Sequence, residues 1–180
     1  PGFSGFPYVS PDAPKGGLAR LGVFSTGFDS LNVIPELGSL APGIGLIYET
    51  LMADNLDETS TQYGLLAEAF RHPADYSSVT YRLNADARWH DGQPVTPDDV
   101  VWSFDIQPEH NPDIAEYYSH VTKAEATGAR EVTFTFDETG NRELPQIVGQ
   151  LMVLPKHWFA GRALDEVSLD PPLGSGPYRV

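Results

Sequence analysis

Cysteine is missing from all 180 residues. Its absence excludes disulfides, thiolate metal sites and cysteine nucleophiles. It leaves the compartment open, because a thiol-free chain suits the cytosol and also an oxidising periplasm, where free thiols are a liability. Long apolar runs are missing too: nothing approaches the ~18 apolar residues that a bilayer-spanning helix needs. The opening PGFSGFPYVS lacks the basic start and apolar block of a secretory leader. A mature secreted chain would have shed one, so that observation sets no bound. Cations are scarce, 11 Lys and Arg against 25 Asp and Glu, for a net charge of −14. So acidic a surface repels phosphate backbones and anionic lipid, which argues against nucleic-acid and membrane-surface roles. Metal motifs are lacking: there is no HExxH, no HxH and no EF-hand loop, and the five histidines (His72, His90, His110, His120, His157) are scattered. Neither a metal nor a cofactor is expected.

What remains is an ordinary globular composition, 41% hydrophobic and 20% charged, long enough for one domain or two small ones. Residues 1–17 are rich in Pro and Gly and read as an extended arm. LARLGVF (18–24) alternates weakly and predicts a strand, followed by a long Gly/Pro/Ser/Asn loop of the functional kind. Ile44, Ile47, Tyr48 and Leu51 recur at helical spacing, so 43–53 predicts a helix. SVTYRLN (78–84) alternates as a half-buried strand. The stretch 121–141 reads as a hairpin turning at Gly128, with Val132, Phe134 and Phe136 on one face of its second arm. A short helix with a buried apolar stretch follows (142–155), then another short helix and loop (156–167). PPLGSGPYRV predicts a Gly/Pro turn entering a strand. The fold class is mixed α/β.

The densest chemistry lies in ARWHDGQPVTPDDVVWSF (87–104), where His90 and three aspartates sit between two tryptophans. The pattern has a local explanation. Thr96 fits a helix N-cap and Pro97 the first helical position. Asp98 and Asp99 stand where the helix dipole favours negative charge, and Asp99 completes a capping box with Thr96. Val95 and Val100 occupy the staple positions, and Asp91-Gly92 reads as a tight turn. Trp89 and Trp102 read as core residues. An acid–base enzyme built on His90 and an aspartate would need a partner constellation that the spacing does not supply.

YRLNADARWHDGQPVTPDDVVWSF resembles the signature of the family 5 extracellular solute-binding proteins, the peptide- and nickel-binding components of bacterial ABC importers. The matching residues are Leu83, Ala87, Trp89, Asp91, Gly92, Pro94, Val95, Thr96, Asp99 and Val100. FDSLNV, LIYETLM with YGLLAEAF, and GSGPYRV resemble further family segments in the same order. The FPYVSPDAPKGG opening and NRELPQIVGQLMVLPKHWF are similar to the oligopeptide and microcin-C-like subgroup.

The resemblance implies a type II, cluster C-like periplasmic binding protein. Residues 1–42 would start lobe I with an arm, first strand and cleft loop; 43–167 would form a lobe I subdomain; 168–180 would be a return strand. The second lobe would be missing, making this an N-terminal fragment, or a shortened form, that alone would bind peptide weakly or not at all. The implied ligand is an oligopeptide or peptide-like solute, handed in the periplasm to an inner-membrane ABC permease without chemistry on the ligand. The cleft loop maps to Leu37, Gly38, Ser39, Leu40 and Ala41, offering main-chain groups to an extended peptide, and Tyr117 and Tyr118 map to an aromatic that reaches the cleft. The rival readings are a nickel or metallophore binder, a non-catalytic interaction module, and a His/Asp hydrolase. Unpaired strand edges would favour a homodimer through the sheet.

Overall fold

A computed structural model describes residues 5–14, 16–18, 20, 22–24 and 27–180. Its centre is a four-stranded antiparallel sheet in the order β4-β5-β7-β6, made of β4 (Ala67–Arg71), β5 (Ser78–Leu83), β6 (Val121–Gly128) and β7 (Glu131–Phe136). Alternation decides its two faces. Val79, Tyr81 and Leu83 of β5 and Val132, Phe134 and Phe136 of β7 are buried on one side, with Val79 opposite Phe134 and Tyr81 opposite Val132. The other side is polar: Thr80 and Thr133 share a hydroxyl contact of 2.9 Å, and Arg71 reaches Glu131 at 2.7 Å. The strand and hairpin expected here are both present, and the turn occupies residues 129–130 beside Gly128.

Helix α1 (Pro97–His110) covers the apolar face. It starts as the sequence dictates. The Asp99 N–H donates to Thr96 Oγ1 at 3.3 Å, and the Thr96 N–H donates to Asp99 Oδ2 at 2.9 Å, closing the capping box. Phe104 of this helix meets Phe134 edge-on at 5.6 Å. A short helix α2 (Pro112–Tyr117) follows, its N-cap Asn111 accepting from Asp113 and Ile114. Helix α3 (Leu144–Gly149) closes the sheet's far end, where the Tyr81 hydroxyl donates to the Pro145 carbonyl. Helix α4 (Lys156–Phe159) packs on a second cluster of Ile34, Ile47, Tyr48, Leu154 and Phe159.

Three expectations need correction. The helix over 43–53 is replaced by one 3-10 turn (Ile44–Ile47) and two short strands, β1 (Glu49–Thr50) and β2 (Met52–Asp54). Strand β1 pairs with β8 (Met152–Val153), about a hundred residues away, and β2 with β3 (Gln62–Gly64); this tertiary pairing overrides the local helical spacing. Of the strand expected over 18–24, Ala19 and Leu21 lie outside the described residues, and Leu18, Arg20 and 22–24 form no strand. No strand forms over 177–180 either: Gly176 donates its N–H to the Ile47 carbonyl at 2.7 Å, but Tyr178 and Val180 lie exposed without a ladder partner. Of the arm expected over 1–17, residues 1–4 and 15 are outside the described set. The described part has no helix or strand and is anchored by Tyr8, whose hydroxyl accepts from the Leu56 N–H at 3.2 Å.

The sheet ends in two edge strands. Strand β6 carries register shifts at both ends and the Lys123–Glu125 ion pair. Bulges and charge of this kind discourage edge-to-edge pairing.

Candidate functional site

The stretch 87–104 resolves into structure. Arg88 and Pro94 form an antiparallel bridge behind the Asp91-Gly92 tip: the Trp89 N–H donates to the Gln93 carbonyl at 2.8 Å, the Val95 N–H donates to the Ala87 carbonyl at 3.1 Å, and Gly92 takes φ 89°. Trp89 is buried and its indole N–H points at Asp99 Oδ2, 3.4 Å away. Asp99 also accepts the Lys156 N–H at 3.1 Å, so one buried carboxylate ties the hairpin, α1 and α4 together. Asp98 is exposed. Asp91 faces His157 at 2.9 Å; slight burial pushes its carboxyl up, but the Gln93 N–H and His157 more than offset this and hold it below the usual range. The His90 ring instead meets the Gly176 carbonyl at 2.7 Å. The histidine and the aspartates therefore point to four different places and do not converge on one reacting centre. Among the described residues no group of three or more His, Cys, Asp or Glu is spaced to hold a metal ion.

The loop expected to line a cleft has a defined shape. Asn32 anchors its base, donating from Nδ2 to the Leu164 and Glu166 carbonyls at 3.2 and 3.0 Å, while the Leu31 N–H donates to the Ser168 carbonyl at 2.6 Å. The other end folds back on Asp29, whose Oδ1 accepts the Ser39 N–H at 2.6 Å. Gly38 must be glycine for two reasons: φ is 75°, and a Cβ would lie 2.4 Å from that same Asp29 oxygen. Ser30 then forms a single parallel bridge with Leu40, donating its N–H to the Ser39 carbonyl (3.2 Å) and accepting the Ala41 N–H (2.9 Å). In a parallel bridge the bonds go to the residues flanking the bridged one, so the N–H and C=O of Leu40 point the other way. Leu37 and Leu40 are both exposed.

Beyond Ala41 the chain enters an open groove of about 310 Å³, walled by Leu31, Pro42, Ile44, Leu46 and Ile47 and rimmed by Tyr178, Arg179 and Val180. A pair of glycines brings the rim into place. A Cβ at Gly174 would lie 2.0 Å from the Ile47 carbonyl oxygen and one at Gly176 2.6 Å from that of Leu46, so only glycine lets the two backbones touch. His90 holds the same segment by its N–H, which donates to the Gly174 carbonyl at 2.8 Å. Beneath it Glu49 is half-buried; desolvation raises its carboxyl above the usual range, with the Ser175 hydroxyl and His90 opposing.

Of the residues expected at a ligand, Ser39 and Ala41 use their main-chain groups within the loop, Leu40 alone has its N–H and C=O turned away from the bridge, and Ala41 reaches the groove. The tyrosines stand apart. Tyr118 is buried against Phe104 and Tyr117, and exposed Tyr117 donates its hydroxyl to Gln150 Oε1 at 2.6 Å; the groove lining contains neither. The groove itself is not apparent in the sequence. Its one signal was the Gly-x-Gly of GSGPYRV, the mark of a close backbone approach.

Residues 61–180 match the family described as bacterial extracellular solute-binding proteins, family 5 Middle. The chain belongs to this family. Among family 5 relatives it resembles the probable peptide-binding protein YejA of Agrobacterium fabrum (strain C58), 50% identical over 186 residues, which cover 99% of this chain and 30% of that protein. The chain therefore spans about a third of the length of such relatives. Among solved structures it superposes on NikZ of Campylobacter jejuni, captured with Ni(L-His), with a TM-score of 0.67, 23% identity, and coverage of 83% of this chain and 30% of that one. It also superposes on a periplasmic oligopeptide-binding protein of Thermotoga maritima bound to mannohexaose, with a TM-score of 0.64, 29% identity, and coverage of 79% and 27%. The mixed α/β architecture matches part of a lobe of these type II periplasmic binding proteins.

Proposed function

We propose that this chain is the ligand-facing part of a substrate-binding component of a bacterial ABC importer, and that its ligand is an oligopeptide or peptide-like solute. The observation that carries the reading is the Leu40 edge, one residue whose N–H and C=O point outward beside an open apolar groove. An extended peptide offers the same two groups at every residue, so such an edge holds it without demanding a sequence. The relationship to a protein named as peptide-binding supports the same class. Leu37, Gly38, Ser39, Leu40 and Ala41 are the residues placed at the ligand; Tyr117 stays a candidate only where a further part of the site extends to α2.

The role assigned is capture, in the periplasm, and delivery to an inner-membrane permease, with no bond made or broken in the ligand. A homodimer through β4 or β6 is a separate proposal that light scattering decides. Isothermal titration tests the main reading, using protein expressed from the complete reading frame with the tripeptide Ala-Ala-Leu and with Ni(L-His) as probes. Saturable binding of the tripeptide at a 1:1 ratio is the expected result. Binding of Ni(L-His) but not of the tripeptide would replace this reading with the metallophore one.

A further inference from the structure

Segment 29–32 runs through the middle of the candidate site, with main chain bonded on both sides of it. On one side Asp29 and Ser30 donate their N–H groups to the Ser39 carbonyl at 3.0 and 3.2 Å, and Ser30 accepts the Ala41 N–H. On the other side the Leu31 N–H donates to the Ser168 carbonyl at 2.6 Å. The edge at Leu40 is thus one outer layer of three, and residues 164–168 are the opposite one. That opposite layer buries little of itself: Asp165, Glu166 and Val167 are exposed and Leu164 is half-buried. A buried amide ties it down. Asn32 donates from Nδ2 to the Leu164 and Glu166 carbonyls, and its Oδ1 accepts the Ile34 N–H at 3.2 Å. A buried amide is costly unless its polar atoms are paired, and every partner here is loop backbone. Gln107 offers the contrast: its amide donates to the Ser103 and Met152 carbonyls, tying α1 to β8 within the core.

The tied layer touches the ligand edge. Val167 stands over Gly38, so close that a Cβ on that glycine would lie 2.7 Å from Val167 Cγ1. Gly38 leads directly into Ser39 and Leu40. We infer that Asn32 is a positioning residue for ligand capture: by holding the 164 and 166 carbonyls it seats Val167 against Gly38 and fixes the direction in which the Leu40 N–H and C=O point. The inference rests on the peptide reading of that edge and says what aims it. Hydrogen bonds weaken steeply as they lose alignment, so an edge offering only two of them depends on the shell behind it.

Isothermal titration of Ala-Ala-Leu, on protein expressed from the complete reading frame, tests the assignment together with hydrogen exchange. Asn32→Asp keeps the shape and the Oδ1 acceptor but turns a carboxylate towards two carbonyls. It should weaken tripeptide binding about tenfold, the scale of one lost hydrogen bond. The Ser39 and Ala41 amides should exchange faster, while the strands over 78–83 and 131–136 keep their protection. Val167→Ala, at an exposed residue that does not threaten the fold, should weaken binding about threefold and decides the matter if Asn32→Asp does not fold. Gln107→Glu, the same exchange in the core, should lower stability and leave tripeptide affinity unchanged. Unchanged affinity in a folded Asn32→Asp protein, unchanged exchange at Ser39 and Ala41, or an equal loss of affinity in Gln107→Glu would overturn the inference and leave the peptide reading standing. If the unaltered protein does not bind the tripeptide, the peptide reading and this inference fall together.

Discussion

Phe134 and Leu40 lie in regions held together by different means. Around Phe134 the chain is closed: the ring is fully buried, meets Tyr81 and Phe104 edge-on at 6.2 and 5.6 Å, and sits in a sheet whose hydroxyls pair with one another on the other face. Around Leu40 it is open. One parallel bridge, the Asp29 cap, the Asn32 and Leu31 bonds at the loop's base, the His90 contacts and a glycine-mediated approach hold the loop, the 3-10 turn and the tail, and leucines at 37, 40 and 46 remain exposed. The difference is one of how much of each region's main chain and apolar surface is already satisfied. The closed half has no unsatisfied edge to offer on its buried face, whereas the open half holds its shape with a few backbone bonds and leaves main chain and apolar surface for something else.

The largest expected effect comes from breaking the closed half. Phe134→Ala should destabilise the protein by about 3–5 kcal/mol, the usual result of emptying a large aromatic site that cannot collapse. Denaturant unfolding followed by tryptophan fluorescence measures it, and a loss under ~1 kcal/mol would mean that the sheet and α1 do not form one core. Next come the two adjacent aspartates, which look alike in sequence. Asp99→Ala removes the acceptor of Thr96, Trp89 and Lys156 and should cost about 2–3 kcal/mol. Asp98→Ala removes only an exposed charge near the helix dipole and should cost about 0.5 kcal/mol. Equal costs in the same assay would show that dipole and charge, rather than the cap, explain the acidic pair.

That pair shows what the sequence makes legible. The cap at Thr96, the strand over 78–83 and the second arm of the hairpin are set by neighbours within a few residues, and each is present where the local pattern places it. The segment 43–53 has a helical period equally plain to read, yet Glu49 and Thr50 pair with Val153 and Met152. No local pattern reports a partner a hundred residues away. The candidate site divides likewise. The expectation for its loop came from the family resemblance alone, whereas the groove joins Ile44 to Arg179 across 135 positions, and neither Tyr117 nor Tyr118 lines it. Burial of Tyr118 follows from its aromatic neighbours Phe104 and Tyr117, contacts that spacing along the chain does not show.

A smaller effect tests whether the open half is held as its geometry requires. Gly174→Ala places a methyl group 2.0 Å from the Ile47 carbonyl oxygen, a backbone atom that cannot rotate away. The tail should lift, not the core unfold. Hydrogen exchange should then show lost protection at the Gly176 amide while the midpoint of thermal unfolding falls by only about 2 °C, under 1 kcal/mol for a chain of this size. A loss of protection spread through the strands of the sheet would instead make the tail part of the closed half.

The smallest effect is a pH dependence at the floor of the open half. Burial raises the Glu49 carboxyl above its ordinary value, and the Ser175 hydroxyl and His90 lower it without cancelling the burial. A carboxyl whose folded pKa lies above its unfolded pKa favours the fold in its protonated form. That contribution is complete below the unfolded value and is lost as pH rises through the folded value. Glu49→Gln is neutral throughout, so it should melt slightly above the parent at pH 7, and the gap should close as pH falls towards about 4. Thermal melts of both proteins across that range measure it. A gap that widens on acidification would mean that the ionised carboxylate is the favoured form, held by His90 and Ser175, and that the tail is clasped to the 3-10 turn by charge as well as by the close approach of its glycines.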